Sequence, residues 1–393
     1  MRKVLSAVCA FVLASAAAAF AEAGDETKWV LQLNENRGTF TSNSSPAKEG
    51  GQNLLYFSLG YMAPNYGVVL MGSHADTAYL YNNPGAKDDF HLYSLMDSTL
   101  SSYYLLPEKA GFLVRLGLDL NLPTGHSSFS TKELNSILVD NVSKDLLLVP
   151  SFGKGLNIAP NVVASKTIGP IMAGLGARYE ITGEYNPASD VADKKYDPGD
   201  TLTLFGSLQY AISEKEMAMF DLSSVFSSRD KQGGAEVFKQ GTAYTLGARY
   251  IKAYETTRVT YGITYGWQDK NQTFDGGGVT TEDRNTNNDR LELLINGVRM
   301  LSQRMMMNGL IGYKNIYANR YDSTNTLFDG GYQKLYFGGG PVYVISDVMS
   351  VTGDVKLFQV VNGRDTLEPD SATYRGWTVD IGFVYTWGAA RQN

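Results

Sequence analysis

Cysteine is almost missing from this 393-residue chain, and the single one, Cys9, lies close to the N-terminus. A chain that loses its leader therefore has no disulfide, no thiolate nucleophile and no cysteine metal ligand. Histidine is nearly as scarce, with only His74, His91 and His126 to serve a catalytic or metal centre. Beyond residue 21 there is no apolar run of the length a membrane helix needs. Positive charge is also short. Lysine and arginine total 34 against 40 acids, a formal net charge of −6, and without basic runs that balance argues against nucleic acid as a partner.

What is present begins with Arg2-Lys3, the apolar run Val4 to Ala19 and the small-x-small site Ala19-Phe20-Ala21. That order predicts a cleaved secretory signal over residues 1–21. Residues 22–393 show no linker and no shift of composition, so they read as one domain. Glycine and tyrosine are abundant, at 41 and 25. A membrane barrel uses both, tyrosine at the interfaces and glycine where strands bend or approach closely.

Apolar residues recur with a period of two. Phe112, Val114, Leu116, Leu118, Leu120 and Leu122 oppose Arg115, Gly117, Asp119 and Asn121, and Ile171 to Ile181 alternates in the same way around Arg178 and Glu180. About sixteen such segments, from Lys28–Phe40 to Gly376–Trp387, are separated by alternating short and long polar gaps. The predicted fold is all-β: a closed antiparallel transmembrane β-barrel of about sixteen strands, with short periplasmic turns and long outer loops, in a bacterial outer membrane. An edge strand in hydrocarbon would leave backbone groups unpaired, so the sheet has to close. The apolar face then meets outer-membrane lipid. Arg115, Asp119, Arg178, Glu180, Asp221, Arg249, Arg258, Asp354 and Lys356 are expected to line the lumen, with acids and bases mixed so that opposite charges pair across the bore.

The last strand alternates from Trp377 to Trp387. Its Asp380, Gly382, Tyr385 and Trp387 resemble the C-terminal targeting signal of bacterial outer-membrane barrels, and that resemblance implies the barrel-assembly machinery as a partner.

Between Pro123 and Gly153 the pattern changes. Ser130-Thr131-Lys132-Glu133 is a capping box, and Leu134, Ile137, Leu138, Val142 and Leu146 follow at helical spacing. A short helix with an apolar stripe is expected in this loop. Two placements for the stripe stay open: packing on neighbouring loops or the rim, or folding into the mouth as a gate.

The strand Leu116-Gly117-Leu118-Asp119-Leu120-Asn121-Leu122 ends in Pro123-Thr124-Gly125 before this long loop. Together with Gly155 to Ala164, Gly174 to Tyr185 and Asp197-Pro198-Gly199-Asp200, it resembles outer-membrane transporters labelled for the meta-cleavage pathway of phenol degradation. That family is loosely similar to long-chain fatty-acid and aromatic-hydrocarbon channels. The resemblance implies passage of small, hydrophobic or aromatic solutes across the outer membrane.

Catalytic chemistry has few residues to draw on. His126 precedes Ser127 and Ser128, and His74 and His91 flank a loop carrying Asp76, Asp88 and Asp89, spacings that polar loops produce by chance. Asp275, Glu282, Asp283 and Asp289 offer oxygen ligands, but not at the spacing of a calcium loop. No catalytic residue, metal site or cofactor is expected. The reading is a passive channel for small solutes with a charged lumen. Two alternatives remain: a barrel sheath around a periplasmic or multihaem electron-transfer partner, and a hydrolase at the outer rim.

Overall fold

The structure is a computed structural model and describes residues 27–388 apart from 45–46, 84–85, 131–143, 148–152, 188, 191–194, 277 and 365–370. Over 79–83 and 86–90 it describes the backbone alone. The expected signal, residues 1–21, and the stripe residues Leu134, Ile137, Leu138 and Val142 lie outside the described residues.

Alternating segments become strands because one face can be greasy while the other stays wet. In chain order they are β1 (Lys28–Ser42), β2 (Ala47–Met62), β3 (Tyr66–Asn83), β4 (Ala86–Leu95), β5 (Ser98–Leu105), β6 (Phe112–Leu122), β7 (Asn157–Ile168) and β8 (Ile171–Glu180). Next come β9 (Tyr196–Asp197), β10 (Thr201–Ser213), β11 (Glu216–Ser227), β12 (Arg229–Gln232), β13 (Ala235–Lys239), β14 (Ala243–Ala253) and β15 (Thr257–Gln268). The remainder are β16 (Gln272–Phe274), β17 (Val279–Thr281), β18 (Arg290–Met300), β19 (Met305–Ile316), β20 (Tyr332–Ser346), β21 (Met349–Asn362) and β22 (Thr373–Gly388).

Neighbouring barrel strands pair antiparallel, and β22 returns to β1, from Lys28 opposite Gly388 to Ser42 opposite Tyr374, closing the sheet. β4 and β5 pair in turn with the two halves of β3 and count as one barrel strand, so the seventeen strands of the main sheet make a barrel of sixteen. The sequence alternates through this point without a break and reads as a single strand, Asp89–Leu106. At the break, Met96 and Asp97, the Asp97 carboxylate ties the wall to the long loop, accepting from Asn121 Nδ2 (2.7 Å), the Gly125 amide (3.0 Å) and the Lys154 amide (2.7 Å). Thr124 completes the joint, its Oγ1 accepting from the Ser98 amide at 2.8 Å. The Pro-Thr-Gly motif thus roots the long loop in the wall.

Two further departures concern the outer gaps. The sequence reads long polar gaps near Asn43 and Pro84, and these are largely taken up by strand, since β1 to β4 run on to Ser42, Ala47, Asn83 and Ala86. Three other loops supply β9, β12, β13, β16 and β17, a separate five-stranded sheet at the rim.

The outer wall is apolar. Leu175, Phe220, Leu222, Ile263, Ile311, Leu335, Phe337 and Ile381 are all exposed on it. At the short-turn end Trp29 stacks on Trp387 (centroids 6.1 Å apart, 8° between planes) and meets Tyr61 edge-on at 5.0 Å. At the loop end Trp267 lies between Tyr244 (5.1 Å) and Tyr265 (5.8 Å). A closed sheet with an apolar band between two aromatic girdles is built to span a bilayer by strands.

Candidate functional site

A barrel of this strand number leaves an aqueous bore, so the inner wall is where function is to be sought. All nine charged residues expected there lie on the face opposite the exposed apolar side chains. Three sets are brought together. Arg178 donates to Glu180 (2.7 Å) and approaches Asp119 (3.4 Å), with Asn161 Nδ2 donating to Asp119 at 3.3 Å. Arg249 donates to Asp221 at 2.5 Å. Lys356 approaches Asp380 at 3.8 Å, and Asn36 Nδ2 donates to the same carboxylate at 2.7 Å. Asp354 stands opposite Asp380 in the register of β21 and β22.

Arg115 and Arg258 are held apart from these sets. The Arg115 guanidinium lies 5.9 Å from the centre of the Tyr103 ring, and Arg258 sits exposed at the short-turn end of β15. These pairs join nearby strands along the wall, where the sequence reading had expected them to span the bore.

One contact does span it. Residues 123–156 connect β6 to β7 in the chain, yet the described segment Lys144-Asp145-Leu146-Leu147 packs on β19, β20, β21, β22 and β1. Three barrel strands separate the loop's root from that wall on one side and six on the other. Lys314 Nζ donates to Asp145 Oδ2 at 2.9 Å, and Lys334 Nζ lies 3.4 Å from the same oxygen while also donating to the Asp145 carbonyl. Leu146 and Leu147 are buried among Phe40, Tyr332, Phe358, Val360 and Tyr374. Asp145 adopts a left-handed backbone (φ 56°), a region that aspartate enters more readily than most residues other than glycine.

The wall beneath is shaped for this. Along one cross-strand row, Glu292, Lys314, Lys334, Val360 and Tyr374 stand directly opposite one another. In the next row, Tyr336 lies over Gly312 and Phe358 over Gly376, each ring where a Cβ would otherwise be. Large rings can then lie flat on the wall and leave room for the segment. Burial pushes the Asp145 carboxyl up, but the Lys334 and Lys314 ammonium groups outweigh it and hold it down, at about 2.

None of these partners was singled out from sequence apart from Leu146. Lys314 and Lys334 do occupy polar positions of alternating strands, a detectable signal, but their meeting depends on register. The rim acids have structural work instead. Glu282 accepts from the Asn271 side chain (2.9 Å) and the Thr286 hydroxyl (2.6 Å); burial pushes its carboxyl up, and these bonds outweigh it and lower it. Asp289 holds Arg320 at 3.0 Å, and among the described residues no acid and histidine cluster suits a metal. His91 pairs with Asp76 (2.6 Å), His74 meets Tyr93 edge-on (4.3 Å), and His126 meets Phe129 edge-on (4.9 Å).

Comparison with protein-family models finds no match, and comparison with curated proteins finds none. Solved structures do match, and this barrel is similar in fold to outer-membrane channels. A FadL homologue from Pseudomonas aeruginosa is 9% identical with a TM-score of 0.45, over 92% of this chain and 90% of that one. The toluene transporter TodX of P. putida is 10% identical with a TM-score of 0.42, over 95% and 93%. An anion-selective porin from Comamonas acidovorans is 12% identical with a TM-score of 0.40, over 92% and 100%.

Proposed function

We propose that the protein is a passive outer-membrane pore for small solutes, hydrophobic or aromatic ones among them, narrowed near its outer mouth by residues 144–147. The observation that carries this reading is the grip of Lys314 and Lys334 on Asp145, made across the bore from the loop's root. The nine wall charges line the path on either side. Because acids and bases are mixed along the wall and Arg178, Arg249 and Lys356 are paired with acids, no ring of one charge selects ions, and the pore discriminates weakly between them.

Planar-bilayer recording with the purified protein tests this. Discrete steps of conductance with a reversal potential close to zero in a salt gradient are expected. A bilayer that stays silent contradicts the pore, and near-ideal cation or anion preference contradicts the wall argument. Replacing His74, His91 and His126 together by Ala should leave the conductance unchanged, whereas loss of a hydrolytic activity on that change would favour a rim enzyme.

A further inference from the structure

Lys314 and Lys334 are directly opposed across β19 and β20, an arrangement that like charges disfavour. Each is largely withdrawn from water, with 17% and 13% of its side chain exposed. Two buried ammonium groups need anions close by. Among the described residues two carboxylates are at hand: Glu292 accepts from the Tyr336 hydroxyl at 2.7 Å, and Asp145 arrives from the loop. If Asp145 leaves, the row of Glu292, Lys314 and Lys334 carries one net positive charge in a partly apolar setting, which attracts an anion into its place.

The surroundings say what kind of anion. Phe358 lies 4.9 Å from Lys334 Nζ and Tyr332 lies 5.9 Å from Lys314 Nζ, so the cationic pair sits on an aromatic floor. Leu146 and Leu147 fill the apolar space beside it. The loop therefore presents a carboxylate joined to a hydrophobic body.

We propose that Lys314 and Lys334, with Tyr332, Phe358 and Tyr374, form a binding site for a small hydrophobic monocarboxylate, and that Asp145, Leu146 and Leu147 occupy it as an internal stand-in. The solute's carboxylate bridges the two ammonium groups as Asp145 swings out into water, so entry of the solute and withdrawal of the constriction are one exchange. This rests on the pore reading for its consequence, but not for the binding itself.

Benzoate is the probe, benzamide its uncharged counterpart and inorganic phosphate the anion without a hydrophobic body. Titration calorimetry on the full-length protein in detergent should show saturable benzoate binding. Asp145→Asn should tighten it about tenfold by weakening the competitor. Lys314→Gln with Lys334→Gln should weaken it at least tenfold or abolish it, with heat-modifiable gel mobility showing that the variant is folded. In bilayers benzoate should raise the wild-type current. Benzamide or phosphate binding as well as benzoate, or Asp145→Asn leaving benzoate affinity unchanged, would overturn the site. Asp145→Asn decides the matter if the lysine variant does not fold. A conducting pore that ignores benzoate overturns the site and leaves the pore standing. Binding of benzoate by a protein that never conducts leaves the site standing and overturns the pore.

Discussion

Asp145 is a single carboxylate asked to settle two ammonium groups, and its titration reports whether it is in place. Its pKa in the docked loop is depressed, to about 2, against an ordinary value near ~3.9. A depressed carboxylate contributes its docking energy in full above the ordinary value and loses it as the pH falls through the depressed one. Conductance should accordingly be flat from about pH 5 to 8 and rise as the pH drops from about 4 towards 2. Currents recorded across that range check this, and Asp145→Asn should remove the step. Glycine at 312 is a second residue whose chemistry is fixed by a neighbour. A Cβ there meets the Tyr336 ring, so Gly312→Ala should cost about 1–3 kcal/mol and lower the thermal midpoint in detergent.

At the scale of elements, the strands were legible because lipid and water on opposite faces of one ribbon impose a period of two, as at Leu116 to Leu122 against Asp119. The β4–β5 break was not, because alternation continues through it and only the Asp97 bonds to Gly125 and Lys154 mark it. The rim strands were missed because segments such as Arg229–Gln232 are polar on both faces. Placement of residues 144–147 was illegible for another reason. Lys314 and Lys334 lie 169 and 189 residues further along the chain, and only barrel closure brings them near. Of the expected stripe, Leu134, Ile137, Leu138 and Val142 lie outside the described residues, and Leu146 is buried on the barrel wall. Asp97→Ala should leave the amides of Gly125 and Lys154 without their acceptor, a loss of roughly 1–3 kcal/mol at the loop's root. Limited proteolysis should then nick the 123–156 loop faster than in the wild type, with the barrel itself intact.

For the whole molecule, closure between β1 and β22 is the condition on which everything else depends, because an open edge in lipid leaves backbone groups unpaired. Trp387 stacks on Trp29 across that seam, and such pairs contribute about 0.5–1.5 kcal/mol beyond the area they bury. Trp387→Ala should raise the fraction of unfolded protein seen as the slower or faster heat-modified band on a gel, and should slow membrane assembly if Asp380, Gly382, Tyr385 and Trp387 are read by assembly machinery.

The loop offers a clean excision for testing its place in the bore. The Gly153 amide donates to the His126 carbonyl at 2.9 Å, so residues 127–152 can be replaced by two glycines without disturbing Thr124, Gly125 or Lys154. Single-channel conductance of this variant beside the wild type is the most direct measurement. A several-fold larger step is predicted for the variant, because the segment that grips Lys314 and Lys334 no longer obstructs the bore. Equal steps from the two proteins would mean that residues 144–147 do not narrow the path, and would contradict the account.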